Sequence, residues 1–261
     1  MSDTILYDVL DGVATITFNR PAVMNTLNGE MASAFAAVTE QALLDEAVRA
    51  LILTGAGSTF MAGGDIHYFQ ANLDNMPSGV LPLVRLVNAS VMNLRRMPKP
   101  VIASVAGAAA GAGLSFMLAC DLVTVASDAK FTLAYNQIGM SPDAGASYFL
   151  ARTVGTKKAF AMAALGERLN AEQMLQLGLI TQIVEPQALA DSVRQQAQYL
   201  AQGPTRAYAA TKQLFNSSLE NSLAQQLEAE AQSFTRLSGS EDFHSGVNAF
   251  LAKRVAEFSG R

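Results

Sequence analysis

Three stretches of the chain carry residue types and spacings that could do chemistry, and two of them are turns of small residues. Lys99 to Asp121, KPVIASVAGAAAGAGLSFMLACD, passes from one apolar run through Gly107 to Gly113 into a second apolar run. The short, β-branched run Val101 to Val105 after Pro100 predicts a buried strand, and the run from Leu114 suits a buried helix. Between them almost no side-chain volume remains, so the backbone can turn tightly and approach a ligand. The N–H groups near Gly111, Ala112 and Gly113 then lie at a helix N-terminus, without intrahelical acceptors and facing negative charge. The same residues also suit close strand-helix packing, and this stretch alone leaves both readings open. A second small-residue turn, Phe60-Met61-Ala62-Gly63-Gly64-Asp65-Ile66, precedes another helical stretch.

The third stretch is Ser141-Pro142-Asp143, which has the form of a helix entry: Ser as N-cap, Pro at the first helical position and an acid in the first turn. An acid there either complements the helix dipole, worth about 0.3–1 kcal/mol, or carries a proton. Asp65 stands just before a helix, where capping is the better reading. The two histidines, His67 and His244, read as surface residues and form no cluster of metal ligands. The single cysteine, Cys120, lies inside the apolar run and reads as a buried, inert thiol; it allows neither an internal disulfide nor a cysteine zinc site. The eleven methionines read as adaptable core and pocket lining.

What must position these residues is a chain of 261 residues, long enough for one large domain with an appendage or for two small ones. Half of it is hydrophobic and only 15% is charged, so apolar surface is expected to be hidden in subunit contacts as well. The net charge of −4 and the absence of any Lys/Arg run beyond pairs argue against nucleic acid. No apolar stretch reaches membrane-spanning length without interruption, and the aspartate-rich start resembles no signal or transit peptide. Neither a membrane nor a secretory role is expected, and the expected location is the cytoplasm.

In order, Ile5 to Leu10 and Val13 to Phe18 flank Asp11-Gly12, a strong hairpin signal. Helical spacing follows from Gly29 to Asp45, then a strand at Ala50 to Thr54. Asn72 to Leu83, with two prolines and a glycine, reads as a surface loop, and Val84 to Met97 as a helix. Strands are expected at Leu122 to Ala126, Ala129 to Leu133 and Ile180 to Val184. Helices are expected from Ser141 to about Val154, Lys157 to Leu165, Asn170 to Leu177 and Leu189 to Gln202. Gly203-Pro204 marks a boundary between residues 1–203 and a helical region, 204–261, with helices at Thr205 to Ser217, Ser222 to Ser238 and Glu241 to Phe258.

The ordered set NRPAVMNTLN, FMAGGDI, KPVIASVAGAAAGAGLSFMLACD, GMSPDAGASYFLARTVG and AFLAKR resembles the enoyl-CoA hydratase/isomerase (crotonase) superfamily over nearly the whole chain. The resemblance implies an α/β fold: a spiral of repeated strand-strand-helix units with the acyl-CoA site, followed by a helical C-terminal region that builds a homotrimer or a dimer of trimers. It implies an acyl-CoA thioester as substrate, with coenzyme A part of that substrate and no separate cofactor or metal. Two backbone N–H groups would form an oxyanion hole for the thioester oxygen, and the motifs map them to Ala62 and Ala112. Members often carry a third consecutive glycine where this chain has Gly111-Ala112-Gly113, so a neighbouring glycine remains an alternative donor. Gly63, Gly64, Asp65, Ile66, Gly111 and Tyr135 are the implied substrate-binding residues.

The chain departs from the hydratase pattern. The two positions at which hydratases of the family carry carboxylates are Ser115 and Tyr135 here, and neither a lone hydroxyl nor a phenol is a good base at neutral pH. Asp143, in SPDAG, resembles the single acid of the branch that moves double bonds or isomerises ring-derived CoA esters, which implies a catalytic proton shuttle. A hydratase with atypical acid/base residues and a non-catalytic acyl-CoA binder remain the alternatives. A dehalogenase branch, with a Trp at position 135 and an upstream histidine base, is argued against because the chain has no Trp and the helix before Pro98 has no histidine.

Overall fold

The computed structural model describes residues 3–261. The chain opens with strands β1 (Ile5–Leu10) and β2 (Val13–Phe18), antiparallel with Leu10 opposite Val13. Asp11 and Gly12, both at positive φ (50° and 78°), make the tight turn between them. Then follow α1 (Gly29–Leu44), β3 (Ala50–Gly55), α2 (Ile66–Ala71), α3 (Met76–Arg96), β4 (Val101–Val105), β5 (Ala108–Ala110), α4 (Ala112–Ala119), β6 (Leu122–Ala126) and β7 (Lys130–Thr132). The second half is mostly helical: α5 (Ala146–Ala164), β8 (Leu169–Asn170), α6 (Ala171–Gln176), β9 (Gln182–Val184), α7 (Leu189–Ala201), α8 (Thr205–Ser218), α9 (Leu223–Ser238) and α10 (Glu241–Leu251).

Two sheets arise because successive turns of chain donate one strand to each. The larger has the order β1-β2-β3-β4-β6-β9 and is parallel apart from β1; the smaller is β5-β7-β8. The units β4-β5-α4 and β6-β7-α5 are successive strand-strand-helix turns of a spiral, as the resemblance implies. Single bridges extend the smaller sheet backwards, Met61 against Ala109 and Leu27 against Gly64, so the two small-residue turns lie on adjacent layers.

Phe18, Phe35, Phe60 and Phe116 form one buried aromatic cluster with ring centroids 5.0–5.9 Å apart. Phe60 leads into the second turn and Phe116 sits on α4, so both candidate donor segments are pinned from below by the same rings.

Three expectations are corrected. Residues 76–83 are not loop but the start of α3; Leu83, Val87, Val91 and Leu94 share a buried face, and that burial outweighs the hydrogen bond forfeited at Pro82. α5 starts at Ala146, not Ser141, because Ala144 (φ 49°) and Gly145 (φ 82°) are left-handed; Gly155 (φ 77°) then interrupts it, between the two helices expected there. α10 ends at Leu251 rather than Phe258, since Lys253 (φ 53°) turns the chain back. Asp242, buried, then receives the N–H groups of Ser259 and Gly260, and Arg49 donates to the carbonyls of Phe258 and Gly203.

Candidate active site

The N-terminus of α4 follows Gly111, whose φ of 51° is the reason a glycine stands there. Its own N–H donates to the Thr132 carbonyl at 3.1 Å. The Ala112 N–H, the first of the helix, has no acceptor among the described residues. Gly113 packs against the preceding layer: a Cβ on it would sit 2.3 Å from the Met61 carbonyl oxygen. The small residues therefore serve packing and free donors together.

The second turn corrects one site expectation. The Ala62 N–H is not free, because it donates to the Met24 carbonyl at 3.0 Å. Two residues on, Gly64 is bracketed by the bonds Leu27 N–H to Gly63 O (2.8 Å) and Asp65 N–H to Leu27 O (2.9 Å), and its own N–H makes no hydrogen bond among the described residues. Gly63 lies directly against Gly111; a Cβ on Gly111 would be 3.3 Å from the Gly63 Cα. The free amides thus belong to Gly64 and Ala112, on two turns in contact.

Asp65 holds this turn, as its capping position predicts. One carboxylate oxygen accepts from the N–H groups of His67 and Tyr68 at 3.1 and 3.2 Å, and the other from Arg20 at 2.9 Å. Burial pulls the carboxyl upward, but Arg20 and the two amides outweigh it and leave its pKa below the ordinary value. Arg20 also donates to the Thr26 carbonyl. Buried Asn25 donates to the carbonyls of Ala56, Thr59 and Phe60, so the NRPAVMN stretch clamps the whole approach to the turn. Neither Gly64 as a donor nor the support from Arg20, Met24 and Asn25 was expected from the sequence; its only trace is a glycine pair ahead of a capping aspartate. Ile66 and His67 are exposed on α2, and His244 is exposed on α10.

Ser115, Tyr135 and Asp143 come together. The Tyr135 phenol, on the 3-10 turn Tyr135–Ile138, donates to Asp143 Oδ1 at 2.6 Å, and its oxygen lies 3.3 Å from Ser115 Oγ. Ser115 Oγ also lies 3.3 Å from the Gly111 carbonyl, so its one proton serves either that oxygen or the phenol oxygen. Burial raises the Tyr135 phenol, and the adjacent Asp143 charge raises it further, so it stays protonated. Burial also lifts Asp143 above the ordinary carboxylate value, against the opposing pull of the Tyr135 bond. Chemically this is one carboxylate of raised basicity, connected through two hydroxyls to the helix that presents the Ala112 amide. Among the described residues no three His, Cys, Asp or Glu side chains gather as metal ligands. A cleft of about 1460 Å³, lined by Arg95, Leu118, Phe149 and Lys212 among others, includes none of Ala112, Ser115, Tyr135 or Asp143.

A two-layered α/β spiral with free amides on adjoining turns and a part-buried acid describes a class of enzyme that has N–H donors to offer an anionic oxygen and a carboxylate to take a proton. Comparison with known proteins is more specific. A family profile described as enoyl-CoA hydratase/isomerase matches residues 8–261. The 1,2-epoxyphenylacetyl-CoA isomerase of Escherichia coli (strain K12) is 41% identical over 267 residues, covering 100% of both chains. The trans-2-decenoyl-[acyl-carrier-protein] isomerase of Streptococcus mutans serotype c is 32% identical over 258 residues, covering 98% of both. An enoyl-CoA hydratase structure from Polaromonas sp. JS666 superposes with a TM-score of 0.93 at 33% identity, covering 97% of this chain and 99% of the other. The chain belongs to the enoyl-CoA hydratase/isomerase family, and it is an acyl-CoA-processing enzyme with the crotonase fold.

Proposed function

We propose that this enzyme shifts a double bond in an enoyl-CoA, or isomerises a ring-derived enoyl-CoA, by proton transfer through a thioester enolate. The observation that carries the reading is one part-buried carboxylate: Asp143 is bonded to a phenol at 2.6 Å, and positions 115 and 135 hold Ser and Tyr rather than acids. The 41% identity to an epoxyphenylacetyl-CoA isomerase supports the same branch.

In this mechanism Asp143 removes a proton from a carbon activated by the thioester, and the C–H electron pair moves onto the carbonyl oxygen. The N–H groups of Gly64 and Ala112 receive that oxygen as it gains charge; one such donor is worth about 3 kcal/mol of barrier. The electrons then re-form a carbon–carbon double bond one position along, and Asp143 returns the proton to a different carbon. No atom is gained or lost, so one carboxylate suffices and no separate cofactor is called for. Adding water would require a second base to activate it. Ser115 and the protonated Tyr135 are poor candidates for that role.

Hydratase names among the relatives keep water addition as the second reading. Placement of Asp143 in one network with Ser115 on α4 favours catalysis over mere acyl-CoA binding. Gly63, Asp65, Ile66 and Gly111 are assigned to shaping the substrate cradle. We assign the protein to the cytoplasm and to a homotrimer or dimer of trimers. Among the described residues no helix is long and apolar enough to cross a membrane.

Asp143→Asn tests the mechanism, because it keeps size and an acceptor for Tyr135 while removing the base. Isomerisation of a non-conjugated enoyl-CoA should fall about 10²–10⁴-fold with acyl-CoA binding largely intact. A wild-type rate in that variant would sink the mechanism.

A further inference from the structure

We propose that Tyr135 is a positioning residue, its phenol holding one oxygen of the Asp143 carboxylate so that the other is left to carry the proton. The inference rests on Asp143 being the proton carrier in the reading above.

The backbone reaches the Asp143 carboxyl only through the residue's own N–H, which pulls its pKa down less than the Tyr135 phenol does. The residue lies ahead of α5 in a turn with two consecutive left-handed residues, Ala144 and Gly145, and the Asp143 side chain caps none of the first amides of α5. Its side-chain partner is Tyr135, at Oδ1; Oδ2 has no side-chain partner among the described residues. Tyr135 is itself held. The residue before it, Ala134, is left-handed (φ 58°), the Tyr135 carbonyl receives the Met140 N–H at 3.0 Å, and its phenol oxygen meets Ser115 on α4. Ser115 lies on α4 three residues beyond Ala112, and with its one proton turned to the phenol oxygen it links Tyr135 to that helix. A chain of hydrogen bonds therefore sets the proton carrier against the helix end that faces the substrate oxygen.

The phenol also selects a protonation state. A bond of 2.6 Å from a neutral O–H is strongest to an ionised carboxylate, and it weakens when Asp143 takes up a proton. Burial favours the neutral acid and Tyr135 opposes it, so the acid is basic enough to accept a proton and still releases it. Tyr135 is the titratable group facing Asp143; among the described residues no lysine, arginine or histidine bears on it.

The test is Tyr135→Phe, read in two independent ways. In the free protein, the ¹³C-carboxyl signal of Asp143, assigned by its loss in Asp143→Asn, should titrate at higher pH in the variant. In turnover of a non-conjugated enoyl-CoA, the acid limb of the pH–rate profile should move up by about one unit, plateau kcat should fall about tenfold and KM should change little. A purely structural role would lower stability without moving the limb. An unmoved carboxyl titration, or a lowered kcat with an unmoved limb, overturns the inference. Should Tyr135→Phe fail to fold, 3-fluorotyrosine at position 135, a stronger donor, should move the titration downward, and no movement is equally adverse. A wild type that turns over no enoyl-CoA would refute the proposed function, while the carboxyl titration would still decide the role of Tyr135.

Discussion

At the scale of single residues, the site sets three groups within hydrogen-bonding reach that are 20 and 8 positions apart in sequence, Ser115, Tyr135 and Asp143. Keeping a partly desolvated carboxylate has an energetic consequence. Because the folded-state pKa of Asp143 is raised, the folded chain binds that proton more tightly than the unfolded chain, and stability falls as pH rises through the interval between the two values. The penalty is complete above the folded value and absent below the unfolded one, roughly pH 4. Asp143→Asn should therefore be more stable than wild type at neutral pH, by about 1 kcal/mol or about 2–4 °C in Tm, with the gain vanishing in acid. Thermal melts of both proteins across pH check this; equal melting temperatures at pH 7 and pH 4 would contradict it.

At the scale of elements, the donor turns are held by contacts between layers of the spiral. Gly113→Ala would drive a Cβ to 2.3 Å from the Met61 carbonyl oxygen, and backbone cannot swing aside as a side chain can. That variant should lose about 1–3 kcal/mol of stability and most of its activity, measured by denaturant unfolding and turnover. The Arg20–Asp65 pair acts on the other turn. With its folded pKa lowered, Asp65 stabilises the protein above its unfolded value, and that contribution is lost as pH falls through the folded value, below about pH 4. Arg20→Gln should cost about 1–3 kcal/mol near pH 7 and progressively less at pH 3. A cost that does not depend on pH would show that the ion pair is not what Arg20 contributes.

Which parts of this were legible in the chain follows from how local each determinant is. The β1-β2 hairpin, β4, and the break at Gly155 announce themselves in two to five adjacent residues. The α4 N-terminus does too, since Gly107 to Gly113 leaves few conformations other than a turn. Residues 76–83 did not, because Leu83, Val87 and Leu94 earn a helix only by packing on α1. The choice of Gly64 over Ala62 was illegible for the same reason: which of three successive amides is free depends on carbonyls at Met24 and Leu27, some 37 residues upstream.

At the scale of the whole molecule, α8–α10 carry apolar side chains that a solitary chain would leave in water. Phe215, Phe234 and Phe250 are 73%, 71% and 84% exposed, and an apolar groove runs between Phe234, Phe243, Phe250 and Phe258. The proposed trimer-based assembly would cover this surface. Light scattering at micromolar concentration should give a mass at a multiple of three chains, and Phe234→Glu with Phe250→Glu should lower it. A monomeric wild type would rule the assembly out.

The central claim is that one acid, Asp143, working with two amide donors, moves protons between carbons and does not add water. It is tested most directly by giving the wild-type enzyme, in separate reactions, a non-conjugated enoyl-CoA and its conjugated isomer, and comparing initial rates of double-bond migration and hydration. The account predicts that migration is the faster. Hydration outrunning migration would contradict it.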